Sequence, residues 1–259
     1  MKWEELTSKD IGAVDKETTV VIVPIGSIEV HGPHLPLGTD TMIIYYIALK
    51  AAEKEGAIVL PPLYYAYVPE NRHFPGTISL KSETFMKLLE DIVEEVYRQG
   101  FKKILILNGH GGNKRVLRLF VRKMLEKGFK GNLYVLADTL GPLRNKIDEI
   151  RETDVYEHAC EIETSLMLFL KPHLVKLDNV KREAKLGKRY LVEYVESMVD
   201  WQRYAPEGYV GNPLKASSQK GKELIEYWVE YIRKVIRAIK NDKEYDKVLE
   251  KYYSRAGYI

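Results

Sequence analysis

Hydrophobic positions in this chain alternate between short unbroken runs and longer stretches of helical period. Val20-Val21-Ile22-Val23-Pro24-Ile25 is continuous and mostly β-branched, the pattern of a strand covered on both faces. From about Thr41 to Lys54 the period becomes helical, with Ile43, Ile44, Ile47 and Ala48 on one face. Ala57-Ile58-Val59-Leu60 reads as a second strand. Thr84 to Arg98 reads as an amphipathic helix carrying Phe85, Leu88, Leu89, Ile92 and Val96. Lys103 to Leu107 predicts a third strand, Lys114 to Lys127 a helix, and Leu133 to Ala137 a fourth strand. Alternation of this kind argues for a mostly parallel sheet with helices on both faces.

Beyond the fourth strand the period weakens. Asp138 to Tyr156 is polar, with a turn at Gly141-Pro142, and Glu157 to Leu170 turns helical again. The stretch from Lys181 to Pro213 is charged and aromatic without a period, which suggests an excursion or a subunit contact. Ser217 to Lys240 predicts a long closing helix with Leu224, Ile225, Trp228, Val229, Ile232, Val235 and Ile236 inward. No repeat or linker divides the chain, so residues 1–259 are expected to form a single domain.

Composition narrows the function only by exclusion. The net charge of +3 is too small to argue for nucleic acid or a membrane surface. Cys160 is the single cysteine, so no internal disulfide is available. The N-terminal residues lack a signal-peptide core and no apolar run has transmembrane length, so the expectation is a cytoplasmic protein. Abundant Lys, Glu and Tyr would suit a thermophile.

Chemistry is concentrated in three segments. Glu29-Val30-His31-Gly32-Pro33-His34-Leu35-Pro36-Leu37-Gly38-Thr39-Asp40 follows the first strand, and Asn108-Gly109-His110-Gly111-Gly112-Asn113 follows the third. In an open parallel sheet both loops lie beyond the carboxyl ends of the strands, where ligands bind. Carboxylates and imidazoles converging there are ligands for divalent metals such as zinc, manganese or iron. The third segment is Glu157-His158-Ala159-Cys160-Glu161-Ile162-Glu163-Thr164-Ser165. If it is helical from Glu157, then Glu157, Glu161 and Ser165 share one face and Glu163 points elsewhere. Glu161 is then the better ligand candidate, with His158 beside it for proton transfer.

Blander readings compete with each of these. His34 and His73 read as ordinary loop histidines, and Cys160 as a small packing residue. Gly109 to Asn113 could be a plain turn or a phosphate cradle at a helix N-terminus, although it lacks the P-loop ending. Lys114, Arg118 and Arg122 read as a solvated helix face, while Lys114 and Arg115 weakly favour an anionic substrate.

Taken together, the three segments resemble the creatininase (creatinine amidohydrolase) family. Phe74-Pro75-Gly76-Thr77-Ile78-Ser79-Leu80 and Gly211-Asn212-Pro213 add to the likeness, which runs in family order from about residue 20 to 225. The resemblance implies a three-layer αβα sandwich, a homo-oligomer (a hexamer) and two divalent metal ions per subunit. By position, Glu29 and His110 would bind one metal, His31 the other, and Asp40 would bridge them. Creatinine-hydrolysing members carry a glutamate where this chain has Gly112, and Glu161 is read as its replacement. His158 matches the catalytic histidine, preceded by Glu157 as its support. Trp3, Trp201 and Trp228 are the only tryptophans, and none lies between Asp138 and Glu157, where creatinine-hydrolysing members place theirs. That departure argues against creatinine itself, and the likeness is read as nearer to archaeal formylaminopyrimidine-ribotide deformylases.

The expected activity is hydrolysis of a non-peptide C–N amide bond in a small molecule, through a hydroxide bridging two metals, with His158 protonating the departing nitrogen. The alternatives are a peptide-trimming metallopeptidase of cofactor maturation, or a non-catalytic phosphate- or nucleotide-binding module with structural metal.

Overall fold

A computed structural model describes residues 1–138 and 140–258. Four strands, β1 (Val20–Ile25), β2 (Ile58–Val59), β3 (Lys103–Asn108) and β4 (Asn132–Leu136), form one sheet in the order β2-β1-β3-β4. All three pairings are parallel, with Val20 opposite Lys103 and Ile25 opposite Asn108 in the central pair. The helices are α1 (Ser8–Ala13), α2 (Thr39–Glu55), α3 (Ser82–Arg98), α4 (Asn113–Glu126), α5 (Arg144–Ile150), α6 (Glu161–Leu170), α7 (Asp200–Tyr204), α8 (Ser218–Asn241) and α9 (Tyr245–Ala256).

Period-two alternation in β1 and β3 divides the core into two halves. Val20, Ile22, Leu105 and Leu107 face α2, α6 and α8, where Ile44, Ile47, Leu166, Leu224, Trp228 and Ile232 are buried. Val21, Val23, Ile104 and Ile106 face α3 and α4, meeting Phe85, Leu89, Leu117 and Phe120. The result is the three-layer αβα arrangement anticipated from the sequence. No described helix is long and apolar enough to cross a membrane.

The start of α6 and the presence of α5 differ from expectation, each for a local reason. Helix α6 begins at Glu161 rather than Glu157 because Ala159 takes a left-handed φ of 48° and Cys160 is extended. Residues 157–159 instead form a strap, pinned where Val210 N–H donates to His158 O at 2.8 Å. In the polar stretch after β4, α5 forms because Leu143 and Ile147, one turn apart, reach the core on the α8 side. The 188–204 portion of the excursion is half-buried or exposed throughout, with α7 its short helical part.

Candidate metal centre

Both ligand-bearing loops leave the carboxyl ends of adjacent strands β1 and β3, so Glu29 and Asp40 meet His110 directly, and His31 joins them through Asp40. The loop after β3 is braced by Asn108, whose Nδ2 donates to His110 O at 2.7 Å and Ala137 O at 2.8 Å. Its His110 N–H is taken by Asn108 Oδ1 and its Asn113 N–H by His110 O, so two donors of the phosphate-cradle reading are already used.

Asp40 lies between the two histidines. Its Oδ1 is 3.1 Å from His31 Nε2, and its Oδ2 is 2.9 Å from His110 Nδ1. Glu29 Oε1 stands 2.6 Å from the same His110 nitrogen. The Ser27 hydroxyl sits between Asp40 Oδ2 at 2.8 Å and Glu29 Oε1 at 3.1 Å. His31 Nδ1 donates to Glu29 O at 3.2 Å, which turns Nε2 toward the carboxylates.

The third segment supplies a different glutamate from the one expected. Glu163 Oε2 is 3.9 Å from His31 Nε2 and joins His31 and Asp40 in a compact donor group. Glu161 lies away from that cluster. Its carboxylate accepts from Glu152 N, Thr153 N and Thr153 Oγ1 and pairs with Lys220 Nζ at 2.6 Å. The reason is the late helix start. With α6 beginning at Glu161, that residue points back toward 152–153, while Glu163, two residues on, accepts the Ala159 N–H and faces the site.

Buried negative charge on this scale requires compensation. Asp40 and Glu163 occupy the first turns of α2 and α6, where the helix dipole favours carboxylates. Among the described residues no lysine or arginine pairs with Glu29, Asp40 or Glu163; only histidines do. Burial alone would lower the His31 pKa, but Asp40, with Glu163 and Glu29 behind it, raises it to about 10. His110 is likewise raised well above its ordinary value, by Glu29 and Asp40 against the effect of burial. Two buried carboxylates, the partly buried Glu163 and two imidazoles, with donor atoms of each group within 4.8 Å of one another, therefore fit divalent cations in chemistry and in charge.

His158 borders the same cluster, grouped with Glu29 and His31, its ring centroid 4.4 Å from that of His31. Its Nε2–H donates to Val30 O at 2.7 Å, so the lone pair of the neutral ring is on Nδ1. Burial, then the neighbouring His31, lowers its pKa to about 4. Glu157 is not its partner: that carboxylate pairs with Arg189 on the cavity wall.

Trp201 is the group that sequence spacing missed. It arrives from the excursion rather than from the segment before His158, and its ring meets His158 edge-on at 5.7 Å. Its Nε1 donates to Asn71 Oδ1 at 2.9 Å, and Asn71 Nδ2 donates to Glu29 Oε2 at 2.7 Å. A tryptophan thus lies against the histidine by another route.

The remaining candidates fall outside the cluster. His34 Nε2 meets Thr164 Oγ1 at 2.9 Å, and His73 lies exposed against Phe74. Cys160 is buried, and burial pushes its thiol up to about 12. Lys114 is paired with Asp138 at 2.9 Å and Arg115 with Glu196 at 2.5 Å, so both cations expected to attract an anion already have partners. The cavity above the cluster measures about 930 Å³ and has charged and aromatic walls.

Comparison with known proteins agrees with this geometry. The chain is 29% identical over 259 aligned residues to 3-dehydro-scyllo-inosose hydrolase of Thermotoga maritima, covering 92% of this chain and 83% of that protein. It is 29% identical to creatinine amidohydrolase of Pseudomonas putida, covering 90% and 95%. A formylaminopyrimidine-ribotide deformylase of Methanococcus maripaludis is 39% identical, but over 36% of this chain and 41% of its own length. A Zn–Zn creatininase variant superimposes with a TM-score of 0.79 at 28% identity, covering 93% of this chain and 98% of the other. Manganese creatininase gives 0.78 at 28% identity, with 93% and 99% covered. Residues 4–236 match the creatininase (creatinine amidohydrolase) family. With the fold and this match in agreement, the chain belongs to the creatininase (creatinine amidohydrolase) family.

Proposed function

We propose that the protein is a dinuclear hydrolase of a small amide, formamide or cyclic amide. In this reading Glu29, Asp40 and His110 hold one divalent ion, and His31, Asp40 and Glu163 hold the other. The observation that carries it is the division of Asp40, with Oδ1 toward the His31 group and Oδ2 toward the His110 group. A carboxylate shared in this way would serve as a common ligand for two ions.

Bound there, the ions would supply an acidified water and an electrophilic contact for the substrate carbonyl. His158 does the proton work. Its Nε2–H remains on the Val30 carbonyl, and its Nδ1 takes a proton from the attacking water. The imidazolium so formed protonates the departing nitrogen and returns to the neutral ring. Trp201 covers His158 and confines the substrate, while the Arg189–Glu157 pair forms part of the wall. We also propose that the chain self-associates; the exposed apolar side chains of Tyr194 and Met198 (88% and 95% exposed) support this, and light scattering tests it.

The direct test combines elemental metal analysis with turnover assays before and after chelation. The substrate panel is creatinine, a formylaminopyrimidine ribotide and 3-dehydro-scyllo-inosose. Close to two ions per chain with chelator-sensitive turnover is the expected result. Failure to take up zinc, manganese or iron under metal-replete conditions would overturn the reading.

A further inference from the structure

The imidazole of His110 is committed on one side only. Its Nδ1 faces Glu29 and Asp40, while Nε2, fully buried, has no hydrogen-bond partner. A buried N–H without an acceptor is costly, and a metal-bound histidine ordinarily gives its second N–H to a carboxylate or carbonyl. Glu70 is the group placed to accept it. Its Oε1 lies 3.9 Å from Nε2, on the side of the ring away from the cluster.

Gly112 determines whether that approach is possible. A Cβ at residue 112 would lie 2.5 Å from Glu70 Oε1 and 2.5 Å from His110 Nε2, so any side chain would occupy the gap between them. The backbone at Gly112 is ordinary right-handed helical, φ −62° and ψ −27°, so glycine is not required there for conformation. What the missing side chain provides is room for the Glu70 carboxylate. The turn Pro69–Asn71 that carries Glu70 is itself tied to the site. Gln202 Nε2 donates to Glu70 O at 3.1 Å, and the adjacent Asn71 holds Glu29.

We propose that Glu70 is the positioning carboxylate of His110, accepting its Nε2–H when Nδ1 is bound to metal, and that glycine at 112 is the vacancy that admits it. Glu70 acts through His110, since the ring stands between its carboxylate and the donor cluster. The proposal rests on the metal-centre reading above and adds a residue that this reading does not use.

The test is competitive titration of Zn²⁺ or Mn²⁺ against a chelating dye in wild type, Glu70→Ala, Glu70→Gln, Gly112→Ala and the Glu70→Ala/Gly112→Ala double variant. Melting of each chelated protein serves as the fold control. Glu70→Ala is expected to weaken one of the two ions about 10–100-fold. Glu70→Gln keeps an amide oxygen that accepts the same N–H, so it stays close to wild type. Gly112→Ala, whose methyl enters the gap and also crowds His110 Nε2, loses at least as much, and removing Glu70 as well does not restore the affinity. If Glu70→Ala does not fold, Glu70→Leu, which fills the space without an acceptor, takes its place against Glu70→Gln. Wild-type affinity in Glu70→Ala, or in a folded Gly112→Ala, overturns the proposal. So does equal loss in Glu70→Gln and Glu70→Ala. A wild type that binds neither probe metal would instead overturn the metal-centre reading, and this inference with it.

Discussion

Exchanging the roles of two glutamates, Glu161 and Glu163, tests the site most sharply, because they sit two residues apart and have opposite surroundings. Glu161→Ala deletes a buried carboxylate that accepts from two backbone amides, the Thr153 hydroxyl and Lys220. Lys220 keeps Glu152 at 2.6 Å and Lys215 O at 2.9 Å, so the loss falls at the low end for a broken buried pair, about 3 kcal/mol. With an unfolding entropy of about 2.1 cal/mol/K per residue, a chain of 259 residues changes by about 0.5 kcal/mol per degree at its midpoint. The midpoint of Glu161→Ala should therefore fall by about 6 °C in chelated protein, with both ions still bound when metal is restored. Glu163→Gln should behave in the opposite way. It removes one of three clustered carboxylates, so the chelated protein melts no lower than wild type. The ion at His31 and Asp40 should weaken by at least about 100-fold, more than the loss of an outer partner would cause. Calorimetry of chelated samples and elemental analysis of reloaded samples give both readouts. Unchanged metal affinity in Glu163→Gln, or loss of an ion in Glu161→Ala at an unchanged midpoint, would refute the assignment.

Asp40→Ala should abolish binding of both ions and all turnover, since each donor group contains one of its oxygens; retention of two ions per chain in elemental analysis would disprove the bridge. His158→Ala should retain metal while kcat falls by about 10²–10⁴-fold, measured on whichever substrate the panel identifies. Trp201→Phe removes the N–H given to Asn71 but keeps a ring over His158, so KM should rise several-fold with metal content unchanged in elemental analysis. Far from the site, Lys127 holds the Glu90 carboxyl down to about 2 against the effect of burial, with Lys87 and Lys123 adding to it. A depressed carboxyl contributes stability that is complete above about pH 4.5 and is lost as pH falls toward 2. Urea midpoints of wild type should fall across that window, and those of Glu90→Gln should fall less steeply.

What the sequence disclosed follows from which interactions are local. Strand runs such as Val20–Ile25 and the helical period of 84–98 are set by burial on a sheet, so they are readable from the chain alone. Glu29, His31, Asp40 and His110 were legible because loops after parallel strands converge at one end of the sheet. Glu163 was not, because choosing between 161 and 163 depends on where α6 starts, and the left-handed Ala159 that delays it carries no compositional mark. Assuming a helix from Glu157 rotated the whole segment and put Glu161 forward. Trp201, Asn71 and Ser27 were hidden for another reason. Trp201 and Asn71 are ordinary residues whose roles exist only through partners far along the chain, such as Asn71 for Trp201. Ser27 acts instead within the first segment, on Glu29 two residues on and on Asp40, and a serine there carries no mark of that contact.

The excursion over the site has a consequence for how such a protein can change over generations. No residue from 188 to 204 is buried in either half of the core, yet Arg189, Tyr190, Met198, Trp201 and Tyr204 form much of one cavity wall. The donor cluster rests instead on the strand ends and helix starts that the folded core fixes. Substitutions in the wall therefore escape most of the stability penalty that core positions impose, whereas substitutions in the cluster do not. Inheritance can hold the chemistry constant while the enclosure drifts, so one ancestral centre can be fitted to new substrates by mutations that scarcely threaten folding.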